Sequence, residues 1–167
     1  MRTPPTVLPF PTRRRARSDD VGVSAFHDMN ERGDALLDRP FGPLLQAYRS
    51  TGGIERGDDL AHMLRERRRS DVASLAQSIV SHEIFGFRWN HDFWLPMCQF
   101  DLSDLSIKPW SHQLLAELPE DLDGWAVSAW LAEPNVQLRG QRPIDLLDTS
   151  VSLVLQAARA DPFIVHW

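Results

Sequence analysis

The sequence contains a single cysteine, Cys98, and no apolar run near the roughly 18 residues that suffice to span a membrane. One cysteine excludes an internal disulfide framework and fits a reducing compartment. The N-terminus lacks the apolar region of a secretory signal. These absences predict a cytoplasmic protein with no membrane contact.

Signatures of catalysis and cofactor binding are also missing. No glycine-rich phosphate loop of the Rossmann or Walker type is present. His82, His91, Cys98 and His112 are irregularly spaced, unlike zinc ligands, and Cys98 lies in an apolar segment where a buried, inert thiol is usual. The acidic residues at 117–123 are more typical of helix caps than of an acid–base pair. We therefore predict a non-enzymatic protein without metal or cofactor.

The formal charge of −5 is unevenly distributed along the chain. Residues 1–100 carry a net charge of +1, whereas residues 101–167 carry −6. Nucleic-acid affinity comes largely from cations that replace condensed counterions, so an acidic C-terminal half is a poor ligand for phosphate backbones. Its partner is predicted to be a protein.

Residues 1–40 resemble a tail more than a domain. Several prolines interrupt helix and sheet, and no apolar periodicity is sustained before Leu36. We predict a mobile arm rich in proline and arginine. The basic cluster at residues 13–17 is either a solvated charge run, which is favoured, or a DNA contact.

Residues 41–83 have helical periodicity. A first helix is predicted around residues 43–50, with apolar Leu44, Leu45 and Tyr48. After Gly52–Gly53, a second helix has an N-cap at Asp58 or Asp59 and an apolar face formed by Leu60, Met63 and Leu64. A third helix, with Ser70 as a cap, has an apolar face formed by Val72, Leu75, Ala76, Ile79 and Val80.

The second and third helices are close enough in sequence to form a helix-turn-helix that reads DNA. In that geometry the polar face of the second element meets base edges, and arginines near the turn hold phosphates. The candidate DNA-binding residues are Arg67, Arg68, Arg69, Ser74, Gln77 and Ser78. Against this, the third helix has no Lys or Arg, and Glu83 follows it. The alternative is a helix pair that supports the C-terminal domain or a dimer.

Residues 84–101 form the most aromatic segment and predict a small β-hairpin. Phe85, Phe87 and Trp89 alternate before a two-residue turn at Asn90–His91, after which an extended run resumes. Pro96 predicts an edge strand, because proline has no N–H to donate to a neighbour.

Residues 125–148 contain the most informative pattern in the chain. A short helix is predicted first, with an apolar face at Trp125, Ala129 and Trp130. Pro134 ends it, Gly140 permits the positive φ of a sharp reversal, and Pro143 suits the first position of a new helix. The result is a helix-turn-helix corner, followed by a helix at 150–160 that ends at Asp161–Pro162.

Two motifs between residues 95 and 147 resemble the C-terminal toxin-binding domain of Xre/MbcA/ParS-type antitoxins. One is Trp-Leu-x-x-Pro-Asn-x-x-Leu-x-Gly-x-x-Pro-x-Asp-Leu-Leu, from Trp130 to Leu147; the other is Leu-Pro-x-x-Gln-Phe-Asp, from Leu95 to Asp101. The resemblance implies a toxin partner, often a RES-domain enzyme that degrades NAD, whose cleft is blocked by C-terminal segments. It also implies a dimer that represses its own operon through an upstream helix-turn-helix.

The corner and the C-terminal tail are the candidate toxin-binding surface. The residues assigned to it are Trp130, Pro134, Asn135, Leu138, Arg139, Gly140, Arg142, Phe163 and Trp167. Local alternatives remain: the two arginines pair with Asp145 or Asp148, Asn135 caps nearby backbone, and Trp130 and Leu138 pack inside. The apolar tail either folds back or contacts a dimer partner, which is favoured, or enters a partner's cleft.

We therefore predict a mainly α protein, a helical bundle with a helix-turn-helix-like pair and a small hairpin. Its regions are an arm at 1–40, a helical region at 41–83, the hairpin at 84–101, and a toxin-binding or dimerisation domain at 102–167. The predicted function is that of an antitoxin. The rival is a DNA-binding transcriptional regulator whose C-terminal domain only dimerises, and a small enzyme is a distant third.

Overall fold

The computed structural model describes residues 41–67, 72–119, 121–161 and Ile164. These residues form six α-helices and one three-stranded antiparallel sheet, in agreement with the mainly α class. The arm predicted at 1–40 lies outside the described residues. Within the described part, no helix has the length and apolar character needed to cross a membrane.

In the sequence, the six helices lie before, between and after the three strands. Their bounds are α1 Phe41–Tyr48, α2 Gly57–Glu66, α3 Val72–Val80, α4 Pro109–Leu115, α5 Gly124–Ala132 and α6 Val151–Ala160. Short 3₁₀ turns connect several of them, at Arg49–Thr51, Met97–Gln99, Val136–Leu138 and Pro143–Asp145.

The predicted hairpin is present as β2 (Phe87–Trp89) and β3 (Asp92–Pro96), which pair antiparallel. Both residues of its two-residue turn have positive φ, 48° at Asn90 and 68° at His91. A two-residue turn of this kind matches the right-handed twist of the strands, and Asn and His tolerate positive φ better than most residues. The hairpin prediction is confirmed.

The edge position predicted for Pro96 is wrong. A third strand, β1 (Ile54–Arg56), pairs with β3, so β3 is central and Pro96 is its last residue, opposite Ile54. The missing proline donor is tolerated because the next residue replaces it: the Met97 N–H donates to the Gly53 carbonyl at 2.9 Å. A segment of three residues after two glycines is too short to show the alternation of a strand, so β1 was not predictable from the sequence.

Helices α2 and α3 pack together over one apolar cluster. Its buried members are Leu60, Leu64, Leu75, Ile79, Ile84, Leu95, Met97, Phe100 and Leu105. The N-cap prediction is wrong: α2 begins at Gly57, and Asp58 and Asp59 lie in its first turn, where carboxylates favour the positive end of the helix dipole. Val80, placed on the apolar face by its spacing, is 66% exposed at the end of α3.

A larger apolar cluster joins α1 to the C-terminal helices and to β2. Tyr48, at the end of α1, is fully buried, and its hydroxyl donates to the Ser128 carbonyl of α5 at 2.9 Å. Phe41, at the other end of α1, stacks on Trp89 with ring centroids 4.2 Å apart. Helix α1 therefore packs with α5, although it is 80 residues away in sequence.

The N-terminus of α5 is fixed in two ways. Asp123 is its N-cap, and its Oδ1 accepts a hydrogen bond from the Ala126 N–H at 2.6 Å. Gly124, the first helical residue, lies directly against the backbone of Gly86, so that a Cβ at this position would overlap the Gly86 carbonyl oxygen. This close approach places α5 against the segment that leads into β2.

Candidate partner-binding corner

The corner, residues 134–142, begins where α5 ends. Glu133, the C-cap, has extended backbone angles (φ −92°, ψ 146°), because the ring of Pro134 disfavours a helical conformation in the residue before it. Pro134 itself is exposed. The predicted helix stop is therefore confirmed.

Asn135 holds the corner together through its backbone and its side chain. Its N–H donates to the Gln141 carbonyl at 3.0 Å, and its carbonyl accepts from the Gly140 N–H at 2.9 Å. Its side-chain Oδ1 accepts from the Gln137 N–H at 2.8 Å, and its Nδ2 donates to Asp161 Oδ2 at 2.8 Å. Because Asn135 is also only 6% exposed, its main role in the free protein is local, and the corner is a preorganised turn.

Trp130 and Leu138 support the corner from inside. Each is 5% exposed and belongs to the larger apolar cluster. The Trp130 Nε1 donates to the same Asp161 Oδ2 that accepts from Asn135, at 2.8 Å. Asp161, the C-cap of α6, thus joins the corner to the start of the C-terminal segment.

The outer surface of the corner contains Pro134, Val136, Arg139 and Gly140, all exposed. Val136 is 91% exposed. Arg139 and Gly140 both have positive φ, 57° and 80°, which reverses the chain as predicted for Gly140. Val136 was not among the residues predicted for this surface, although an apolar residue between two polar neighbours in a turn was visible in the sequence.

Arg142 forms an ion pair within the chain. Its Nε and Nη2 each lie 2.7 Å from one carboxylate oxygen of Asp145, which raises the pKa of the guanidinium. This confirms the local pairing that the sequence left open for Arg142. Asp148, the other candidate, instead pairs with Lys108 at 2.7 Å.

The new helix predicted at Pro143 is wrong in type. Pro143 begins only a single 3₁₀ turn, Pro143–Asp145, and the next α-helix, α6, starts at Val151. Turns at residues 146–149 separate the two, so the buried Ile144 and Leu147 reach the core from a turn. Two 3₁₀ turns, one within the corner and one directly after it, therefore connect α5 and α6.

Two predicted toxin-binding residues, Phe163 and Trp167, lie outside the described residues. Between them, Ile164 is 2% exposed and belongs to the larger apolar cluster, and its N–H donates to the Asp161 carbonyl at 3.1 Å. At Ile164, therefore, the chain folds back onto the core.

Gln99 explains the second motif, Leu95 to Asp101. Its fully buried side chain pairs with the backbone of Phe85: the Phe85 N–H donates to Oε1 at 2.9 Å, and Nε2 donates to the Phe85 carbonyl at 2.7 Å. Ser111 of α4 also donates to Oε1, at 3.3 Å. Through Gln99, the motif connects the segment before β2 to α4.

The helix-turn-helix candidates are partly occupied within the chain. Arg67 Nη1 donates to the carbonyls of Leu102 and Ser103 at 3.3 and 3.2 Å. The Ser78 hydroxyl donates to Glu83 Oε2 at 2.8 Å. Two further candidates on α3 are exposed, Ser74 and Gln77, and Gln77 donates to the Ser81 hydroxyl at 2.9 Å. Arg68 and Arg69 lie outside the described residues.

Cys98, the single cysteine of the sequence, is 5% exposed. Burial raises the pKa of its thiol to about 12, so the reactive thiolate is scarce at neutral pH. Among the described residues, no three His, Cys, Asp or Glu side chains are grouped so as to hold a metal ion.

Residues 116–155 match the family model described as the antitoxin Xre/MbcA/ParS C-terminal toxin-binding domain. The match includes α5, the whole corner and the first half of α6. It supports the role of an antitoxin in a toxin–antitoxin pair, with a toxin as partner. Searches of curated proteins and of solved structures found no match.

Proposed function

We propose that this protein is the antitoxin of a type II toxin–antitoxin pair, which binds its cognate toxin and neutralises it sterically. The observation that carries the proposal is the position of the corner, an exposed and preorganised turn inside the segment that matches the toxin-binding domain. Preorganisation favours binding, because little conformational entropy is lost when the turn meets a partner.

The buried and exposed residues of the corner have different proposed roles. Pro134, Arg139 and Gly140 contact the toxin directly, whereas Trp130, Asn135 and Leu138 hold the turn in shape from within. Arg142, which forms an ion pair with Asp145, adjoins the contact residues at the end of the corner. Phe163 and Trp167, assigned to the surface from the sequence, extend it in the proposal.

Neutralisation by occlusion needs no reactive group in the inhibitor. The partner is then an enzyme whose substrate cleft is covered, and the resemblance points to a RES-like enzyme that degrades NAD. Net charge fits a protein partner, since residues 101–167 carry −6 and repel phosphate backbones.

The proposal is tested in cells that express the product of the adjacent gene. Growth should stop with the toxin alone and resume when this protein is co-expressed, and the two proteins should co-purify. If the toxin is RES-like, cellular NAD should fall and then recover. A chain that neither restores growth nor co-purifies with the toxin overturns the proposal.

We also propose a second role, repression of the shared operon by a homodimer. Helices α2 and α3 pack together, and Ser74 and Gln77 are exposed on α3. The bonds of Arg67 and Ser78 within the chain count against base or phosphate contact by those two residues. A gel-shift titration on the operon's upstream DNA tests it: a salt-sensitive, sequence-selective shift supports repression, and its absence removes it. The rival, a DNA-binding regulator whose C-terminal domain only dimerises, would give the shift on DNA and leave the toxin active.

A further inference from the structure

Arg139 differs from the other cations of the acidic C-terminal half. Residues 101–167 contain four Lys and Arg side chains. Three of these form ion pairs with a carboxylate at 2.5–2.7 Å: Lys108–Asp148, Arg142–Asp145 and Arg159–Glu117. Arg139 is exposed, and its side chain forms no hydrogen bond or ion pair with any residue that the structure describes. Its charge is thus available to a partner.

The backbone gives no local reason for an arginine at this position. Arg139 has φ 57° and ψ 35°, the left-handed conformation that a Cβ disfavours and that glycine adopts at ends of helical turns. The turn at residues 136–139 would therefore form at least as well with glycine. The guanidinium group forms no hydrogen bond or ion pair that would stabilise the fold among the described residues.

Val136 lies at the start of the same turn. It is 91% exposed, and the Arg139 N–H donates to its carbonyl at 3.2 Å, so the two residues belong to one hydrogen-bonded turn. Of the exposed large apolar residues among those described, Val136 is the most accessible. Arginine is enriched among the residues that contribute most to binding at protein interfaces, and an aliphatic side chain can serve as an anchor that fills a pocket beside it.

We propose that Val136 and Arg139 together form the main recognition element for the toxin. Val136 enters an apolar pocket of the toxin, and the Arg139 guanidinium forks onto a toxin carboxylate beside that pocket. This inference rests on the proposed antitoxin function. A carboxylate is the chosen acceptor because a guanidinium matches its two oxygens, while the −6 charge of this half opposes a nucleic-acid phosphate.

The first test is Arg139→Gly, with Arg139→Lys beside it, in the full-length protein. The probe is the purified product of the adjacent gene, inactivated by mutation, with affinity measured by calorimetry. Arg139→Gly should weaken binding about 30-fold or more, while its Tm stays unchanged or rises, since glycine relaxes the backbone. Arg139→Lys should bind with intermediate affinity, because lysine keeps the charge and loses the fork.

The salt dependence gives a readout that a purely structural role would not change. Between about 50 and about 500 mM NaCl, the affinity of the unaltered protein should fall as the ion pair is screened. The fall should be smaller for Arg139→Gly. Equal slopes in the two proteins would contradict a charged acceptor.

The second test is Val136→Ser, with Val80→Ser as a matched control. Both valines are exposed, Val80 lies on α3 outside the matched segment, and neither change should lower the Tm appreciably. Val136→Ser should weaken toxin binding about tenfold, and Val80→Ser should leave it unchanged.

The outcomes separate this inference from the function on which it rests. If the unaltered protein binds and neutralises the toxin but Arg139→Gly and Val136→Ser bind as tightly, the recognition element is wrong and the antitoxin function stands. If the unaltered protein does not bind the toxin, both proposals fall.

Discussion

Gln99 is the buried polar side chain that holds the segment before β2 through two hydrogen bonds. Gln99→Met keeps the volume but leaves the N–H and carbonyl of Phe85 without partners in an apolar interior. The free energy of unfolding should fall by about 3 kcal/mol, because each buried unpaired group costs about 1–3 kcal/mol. The exposed Gln113→Met is the control, expected within about 0.5 kcal/mol of the parent. Urea denaturation measures the free energy of unfolding of both variants, and equal stabilities would contradict the role of the Gln99 hydrogen bonds.

Cys98 predicts a loss of stability at alkaline pH. Burial raises the pKa of its thiol from 9.0 to about 12, so the folded protein keeps a proton that the unfolded chain releases above pH 9. The stabilisation is therefore complete below pH 9 and is lost as the pH rises towards 12. Between about pH 9 and 10 this group should lower the free energy of unfolding with a slope that approaches about 1.4 kcal/mol per pH unit.

Cys98→Ala isolates this contribution. The variant should show a shallower pH dependence than the parent over that interval, measured by denaturant unfolding at a series of pH values. The interval ends where Tyr48 begins to contribute in the same direction, since burial also raises the pKa of its hydroxyl above 10.0. Parallel curves for the two proteins would show that the thiol is not buried as described.

At the scale of elements, the close approach of α5 to Gly86 predicts effects of different size for two glycine substitutions. Gly124→Ala should destabilise the protein by about 2–3 kcal/mol, because its Cβ would overlap the Gly86 carbonyl oxygen and lie 2.7 Å from the carbonyl carbon. Gly42→Ala, in α1, has nothing within 4 Å of its Cβ apart from its chain neighbours. The gain in helix propensity, up to about 1 kcal/mol, is opposed by the ring of Pro43, which disfavours a helical conformation in a preceding residue with a Cβ. The stability should therefore stay within about 1 kcal/mol of the parent.

Thermal unfolding of the two glycine variants provides the measurement. A Tm for Gly124→Ala at or above that of the parent would show that α5 does not touch the segment before β2. The Gly42→Ala variant controls for the general preference of helices for alanine. Both glycines lie in the first two residues of their helices, so the comparison is matched in position.

The elements that local chemistry determines were predictable from the sequence. Pro134 ends α5, Gly140 takes a positive φ, and Asn90–His91 forms a two-residue turn, because each depends on the residue's own backbone preferences. β1 and the central position of Pro96 depend on a pairing between segments about 40 residues apart. No local pattern in the sequence encodes such a pairing, and so it could not be predicted.

The candidate site was predictable in location more than in detail. The motif from Trp130 to Leu147 located the corner, but only the structure separates the buried Trp130 and Leu138 from the exposed Val136. Burial depends on how α6 and the corner pack, and in particular on Asp161, which accepts hydrogen bonds from both Trp130 and Asn135. Thirty-one residues separate Asp161 from Trp130, so spacing alone did not connect them.

In the molecule as a whole, the two apolar clusters pack different sets of elements. The smaller one joins α2 and α3 to β3, and the larger one joins α1, β2 and α4–α6 to the corner. The predicted regions at 41–83, 84–101 and 102–167 stay predictions, but α1 and α5 share one core through the bond from Tyr48 to Ser128. The surface proposed to bind the toxin therefore rests on elements from both ends of the described chain.

The central claim is that this chain inhibits a toxin by covering it. The most direct measurement is the turnover of the purified toxin, encoded by the adjacent gene, titrated with the purified full-length protein. The account predicts that turnover falls to zero at a fixed stoichiometric ratio and that the two proteins elute as one complex. Undiminished turnover at a large excess of this protein would contradict it.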